Sequence, residues 1–399
     1  MRSIFLFCCI SLLCLKGITQ NERLFQPDAK LLSVINKNFS DADEQYRVLM
    51  KMVPENEFPK TFFPATRKYE FSSADWWCSG FYAGTLLNLF RETNDTLLWH
   101  EAIKSMHFLQ KEEFNTGTHD LGFMMYSSFG TANKISPSKN YEQVLMNSAK
   151  SLITRFNAKV GCIKSWDNTP WKFPVIIDNM MNLELLFWAT KFSGDSSFYH
   201  IAVTHANTTM KNHYRPDYSS YHMVNYDPNT GNVIGKITVQ GYADSSAWAR
   251  GQAWGLYGYT VAYRETKDNK YLQQAEYIAD FILHHPNYPS DGIPYWDFNV
   301  PNIPHALRDA SAASVLASAL LELYKYVDLP HAKNYVAAAE KIITTLSSPQ
   351  YKAVIGTNGG FILEHSVGHM PSKSEIDVPL TYADYYFVEA MMRYRNLGK

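Results

Sequence analysis

Five aspartates in this 399-residue chain stand directly before runs of apolar and small residues: Asp75, Asp120, Asp178, Asp244 and Asp309. An aspartate so placed has two readings. Its side-chain oxygens can accept from the orphan amides of a helix's first turn, which makes it a cap. Alternatively it carries a proton, since hydrolysis of sugars calls for carboxyl groups of separated pKa, one able to donate near neutral pH. Asp178 invites the second reading. It sits in FPVIIDNMMNLELLFWAT among Pro174, Val175, Ile176, Ile177 and Met180, and desolvation by such neighbours raises a carboxyl pKa. His119 and Asp120 form an adjacent polar pair.

A third cluster is WARGQAW, with Trp248, Arg250, Gln252 and Trp254. The planar fork of Arg250 matches a carboxylate with two parallel hydrogen bonds, and tryptophan offers a stacking face. The competing reading is that Arg250 closes a salt bridge with a helix-cap acid and the tryptophans are core. Trp166, His222 and Gln240 lie in intervening loops.

These residues need elements to bring them together. Segments 97–110, 141–156, 196–211, 270–284 and 331–346, and an opening segment LLSVINKNFSDADEQYRVLMKMV, have one apolar stripe and a mixed polar face, the pattern of surface helices. Between them lie the five Asp-headed runs and a last one at 382–394, richer in Gly, Ala and Ser and poorer in charge. Six outer and six inner helices thus alternate as repeated hairpins. An open solenoid has similar repeats with distinct end caps. Inner helices more apolar than outer ones fit a closed ring better, an all-α (α/α)6 barrel with the inner helix starts at one acidic, aromatic-lined mouth. Segments 214–241 and 286–304, rich in Pro, Gly, Asn and Asp, are expected to decorate that mouth with short strands.

Composition narrows the class. Charged residues are 19%, the formal net charge is −1, and nothing suggests a nucleic-acid-binding face. Aromatic content of 15% suits stacking on carbohydrate as well as a Tyr-rich core. MRSIFLFCCISLLCLKGIT reads as a signal peptide cut after Thr19, leaving 20–399 as one catalytic domain, periplasmic or secreted and free of the membrane. Losing Arg2 and Lys16 moves the net charge from −1 to −3. Of the five cysteines only Cys78 and Cys162 remain, as a pair or as two buried thiols. No CxxC or HExxH spacing suggests a metal.

Together, HDLGF at 119–123, IIDNMMN at 176–182 and WARGQAW at 248–254 resemble the unsaturated glucuronyl hydrolases, glycoside hydrolase family 88, in family order and across nearly the whole mature chain. The resemblance implies an α/α barrel acting on lyase-cut oligosaccharides that begin with a C4=C5 unsaturated uronic acid. It places the proton-transferring aspartate at Asp178 and its partner at Asp120. It puts substrate contacts at His119, Trp77, Trp166, His222, Gln240, Arg250 and Trp254; a pairing of Arg250 with the uronate carboxylate is our inference from charge. The implied chemistry is protonation of C4 and addition of water at C5, both through Asp178, with no metal or organic cofactor. The saccharide is the expected partner, and the protein is expected to be a monomer or weak homo-oligomer. Members favouring sulfated sugars often carry Ser-x-x-Ser-x-Lys before the last helix. Here Ser366, His369 and Pro371 hold those places, followed by Ser372 and Lys373, which leaves sulfation preference open. Two further readings stand beside this one: an unsaturated rhamnogalacturonyl hydrolase, whose relatives lack the HDLGF carboxylate, and a secreted glycan-binding protein without catalysis.

Overall fold

The computed structural model describes residues 24–167 and 169–398, so the expected signal peptide lies outside the described residues. Six helices form an outer layer: α1 (Ala29–Met50), α3 (Thr96–Leu109), α5 (Lys139–Ile153), α7 (Ser196–His213), α9 (Asn269–His284) and α11 (Leu329–Leu346). Each begins on a side chain that accepts a backbone N–H of its first turn: Asp28, Asp95, Ser138, Asp195, Asp268 and Asp328. Each buries one stripe; α9 buries Tyr271, Gln274, Ala275, Ile278, Ala279 and Ile282, a helical period that turns its polar face outward.

Alternating with them along the chain is the inner layer: α2 (Ser79–Thr93), a π-helical segment (Gly122–Gly130) running into α4 (Thr131–Ile135), α6 (Asn179–Ser193), α8 (Ala249–Thr266), α10 (Ala310–Leu323) and α12 (Thr381–Arg395). These are apolar on nearly every side, and every residue of α10 is buried. In space α2 packs on the π segment, that on α6, α6 on α8, α8 on α10, α10 on α12, and α12 back on α2. The ring closes, as the alternation of apolar and amphipathic helices predicted, and the architecture is an (α/α)6 barrel.

Small residues set the radius of the ring. A Cβ on Gly80 would lie 2.0 Å from the Met124 carbonyl oxygen, and one on Gly122 would lie 2.5 Å from Cα of Asn182. Backbones of α2, the π segment and α6 therefore touch where any larger residue would hold them apart.

Short antiparallel strands dress the chain between helices: β1 (Phe58–Phe63) with β2 (Lys68–Ser72), β3 (Phe156–Asn157) with β4 (Cys162–Ile163), the three-stranded β5 (Pro174–Ile176), β6 (Met223–Tyr226) and β7 (Val233–Ile237), and β8 (Ser366–His369) with β9 (Ser374–Val378). Segment 214–241 holds β6 and β7 as expected. Segment 286–304 does not form strands; its residues make single bridges, Trp248 with Asp297 and Tyr295 with Arg308. Cys78 and Cys162 are both free and buried. Among the described residues no helix is long and apolar enough to cross a membrane.

Candidate active site

Of the five aspartates heading inner runs, one is a cap. Asp309 accepts the Ser311 N–H at 3.0 Å at the start of α10. Asp75 is exposed and bonds to Ser73, with α2 starting three residues beyond Trp76. Asp244 accepts the Thr238 N–H at 2.8 Å, and α8 starts after Trp248. Asp178 occupies the N-cap position of α6 yet makes no capping hydrogen bond. Asp120 likewise caps nothing: its carboxyl takes the side-chain amide of Asn182 at 3.4 Å and the hydroxyl of Thr118 at 3.4 Å.

Both uncapping acids face one cavity of about 370 Å³. Its wall includes His119, Asp120, Trp77, Trp166, Asp178, Gln240 and Arg250, so seven of the nine residues expected at the site converge from six separate stretches of chain. Burial pushes Asp120 up to about 7, against the lowering influence of Asn182, Thr118 and Arg155. Burial also pushes Asp178 up to about 7; Arg250 opposes the shift and Asp120 adds to it. This is the rise that the apolar neighbours of Asp178 led us to expect.

Two expected contact residues lie one layer behind the wall instead. Trp254 is fully buried, one helical turn after Arg250 on α8, and its ring packs 5.0 Å from Phe123 and 5.3 Å from Tyr386. It forms part of the cavity's foundation. His222 is 1% exposed, immediately before β6. Its Nδ1 accepts the Gln240 N–H at 3.2 Å, which leaves the proton of the neutral ring on Nε2, and Nε2 points at Oδ2 of Asp178 from 3.6 Å. Burial holds this ring well below the usual histidine pKa.

Arg250 lines the cavity, but its guanidinium is engaged. Nη1 donates to Asp309 at 3.0 Å and to the Val367 carbonyl at 2.6 Å, and Nη2 to the Gly368 carbonyl at 2.6 Å and to Gln240 Oε1 at 3.2 Å. The salt bridge to the acid that caps α10, the competing reading of this residue, is present. The reason is burial: at 2% exposure the charge needs a partner within the protein, and both terminal nitrogens find one while Nε does not. By clamping two carbonyls of β8 it fixes the β8–β9 hairpin over the mouth.

Sequence reasoning missed much of the rim, naming only His369 and Ser372 of it, for sulfation preference. Lys60 from β1, Trp76, Tyr382 at the head of α12, and Gly368, His369, Ser372, Ser374 and Glu375 around the β8–β9 hairpin also line the cavity. Lys60 lies 4.8 Å over the Trp76 ring and 3.6 Å from Glu375. The available signals were the Trp76–Trp77 doublet and the Ser366–Lys373 run; β1 carried none, because two-residue alternation over so short a stretch does not say what it faces.

A closed ring of helical hairpins around a buried carboxyl pair and tryptophan walls defines a glycoside hydrolase of the (α/α)6-barrel type. Comparison with known proteins agrees. No family model matches the chain. It is 46% identical over 367 residues, 91% of each chain, to the unsaturated glucuronyl hydrolase of Formosa agariphila. It is 29% identical over 394 residues, 95% of this chain and 96% of the other, to an unsaturated chondroitin disaccharide hydrolase of Streptococcus pyogenes. The crystal structure of an unsaturated glucuronyl hydrolase specific for heparin superposes with a TM-score of 0.88 at 46% identity, covering 91% of this chain and 97% of that one. The chain belongs to the unsaturated glucuronyl hydrolases.

Proposed function

We propose that this enzyme removes the C4=C5 unsaturated glucuronyl residue from the non-reducing end of lyase-generated glycosaminoglycan oligosaccharides, with Asp178 as the proton carrier and Asp120 as its partner. The observation that carries the assignment is the free carboxyl of Asp178 at the head of α6, uncapping, buried and raised to about 7, so that it holds a proton near neutral pH. In that form it delivers the proton to C4 of the enol ether. The carboxylate left behind takes a proton from water as the oxygen adds to C5. The hemiketal then opens and releases the next sugar. One acid serves both proton steps, and Asp178 ends as it began.

Asp120 shares the cavity with Asp178 and holds the hydroxyls of the same ring in this reading, and its charge state bears on Asp178. Trp77 and Trp166 on the cavity wall supply faces for the sugar. His119 and Gln240 supply polar edges. Retention of both acids speaks against the rhamnogalacturonyl and the non-catalytic readings. We further infer that 20–399 acts as one domain, exported to a periplasmic or extracellular space, from the charged and then apolar stretch that opens the sequence.

The test is the ultraviolet absorbance of unsaturated disaccharides from chondroitin, hyaluronan, heparin and pectin lyases, incubated with the mature protein. The conjugated signal should fall on glycosaminoglycan products. A signal that persists on all of them with folded protein overturns the proposal, and a fall on the pectin product alone transfers it to the rhamnogalacturonyl reading.

A further inference from the structure

Arg155 follows α5, outside every sequence motif, and is 9% exposed. Its guanidinium nevertheless gathers the two loops from which His119, Asp120 and Trp166 reach the cavity. Nη1 donates to the Thr116 carbonyl at 2.7 Å and to Asp167 at 2.8 Å; Nε donates to the Lys164 carbonyl at 2.9 Å, and Nη2 to the Ser165 carbonyl at 3.3 Å. The Ser165 carbonyl has a second donor: Nδ1 of His119 lies 2.8 Å away. A carbonyl only accepts, so His119 must carry its proton on Nδ1. Burial, aided by the charge of Arg155, lowers the ring to about 3 and keeps it neutral. Its Nε2 is then a bare lone pair, 3.2 Å from Oδ1 of Asp120. Only a proton on Asp120 can make that contact a hydrogen bond.

We propose that Arg155 is a positioning residue for the reaction: it locks the loop of His119 and Asp120 to the loop of Trp166 and, through Ser165, holds His119 in the tautomer whose lone pair faces Asp120. The proposal rests on the functional reading above. Asp120 is faced by His119 from its own loop, by Asp178 from the head of α6, by Cys78 from the head of α2, and by Arg155 from beyond α5. Of these, Arg155 is the one that opposes the rise of the Asp120 pKa. Its charge and its geometry are therefore separable by substitution.

The experiment uses the mature protein with Arg155→Lys and Arg155→Gln. The readouts are kcat/KM against pH on an unsaturated disaccharide, circular dichroism, and histidine 15N chemical shifts with His119 assigned by a His119→Gln control. The lysine keeps the charge and loses the fork, so kcat/KM should drop roughly 10-fold with the alkaline limb in place. The glutamine loses the charge as well, so the drop should reach about 100-fold; Asp120, no longer opposed by Arg155, then carries less charge near neutral pH and raises Asp178 less, so the limb moves to lower pH. In both, the His119 shifts should lose the pattern of a pure Nδ1–H tautomer. Folded variants within twofold of wild type, with the limb and the His119 pattern unmoved, overturn the proposal. If Arg155→Gln does not fold, the lysine variant decides on kcat/KM and tautomer alone. Absence of turnover by the wild-type enzyme would count against the functional reading, while the His119 shifts would still decide whether Arg155 controls the tautomer.

Discussion

The side-chain amide of Asn182 reaches Asp120 at 3.4 Å while its oxygen accepts the Phe123 N–H at 2.8 Å. One residue, a single turn into α6 from Asp178, thereby pins the acid-bearing loop and the first turn of the π segment to the helix that carries the other acid. Asn182→Ala leaves a buried N–H without a partner, which costs about 1–3 kcal/mol. Urea denaturation should show that loss, together with a fall in kcat. Unchanged stability would mean that the two helices are held together by packing alone.

Asp178→Asn should abolish turnover, a fall on the order of 100- to 10,000-fold if only its proton transfer is lost, with the circular dichroism spectrum unaltered. Substantial residual activity would remove Asp178 from the proton-carrying role.

The pH profile follows from the same group. Asp178 must be protonated to deliver a proton to C4, so kcat/KM should decline as pH rises through about 7. Asp120 contributes to the raised pKa of Asp178. Asp120→Asn should therefore lower activity and move the alkaline limb of what remains to lower pH. A limb that stays in place would mean the two carboxyls titrate independently.

Stability should fall with rising pH, as activity does. The pKa of Asp178 in the folded protein, about 7, lies above the ordinary aspartate value of 3.8 that it has when unfolded, so the folded state holds an extra proton between those values and loses stability as pH rises through them. The full displacement corresponds to on the order of 2 to 4 kcal/mol. Asp178→Asn removes that penalty. Its melting temperature should exceed that of wild type at pH 8 by a wider margin than at pH 4, and an equal difference at both would show that ionisation of Asp178 carries no penalty.

Gly122→Ala would place a methyl 2.5 Å from Cα of Asn182, where only backbone movement relieves the clash. We expect a destabilisation of about 1–3 kcal/mol and reduced activity, since the displaced segment begins two residues after Asp120. A variant with wild-type stability and kcat would show that the ring has slack at this crossing.

The helices and their alternation were legible in the chain because amphipathic and all-apolar periods differ. The expected segment 270–284 became Asn269–His284, and 331–346 became Leu329–Leu346. Asp178 and Asp120 were legible as acids in apolar surroundings, and the motifs that contain them gave the family. What the sequence left equal was the meaning of an aspartate before a helix. Asp309 caps, Asp178 does not, and the two look alike in one dimension because capping is decided by a rotamer. Arg250 was open between substrate and salt bridge for a similar reason: its partners Asp309, Val367 and Gly368 are 59 to 118 residues away.

Local periodicity and composition thus determined by themselves that amphipathic and apolar helical stretches alternate in six pairs, with an aspartate at or shortly before five of the six inner ones, since each pattern is set by neighbours within a few turns. Only the tertiary structure decided which acids open onto the cavity, that His222 and Trp254 lie behind its wall, that Lys60, Trp76 and the β8–β9 hairpin build its rim, and that Arg155 stands between two of its loops. Those are outcomes of ring closure, which brings distant side chains into one desolvated volume and makes each choose its partner among groups the sequence places far apart.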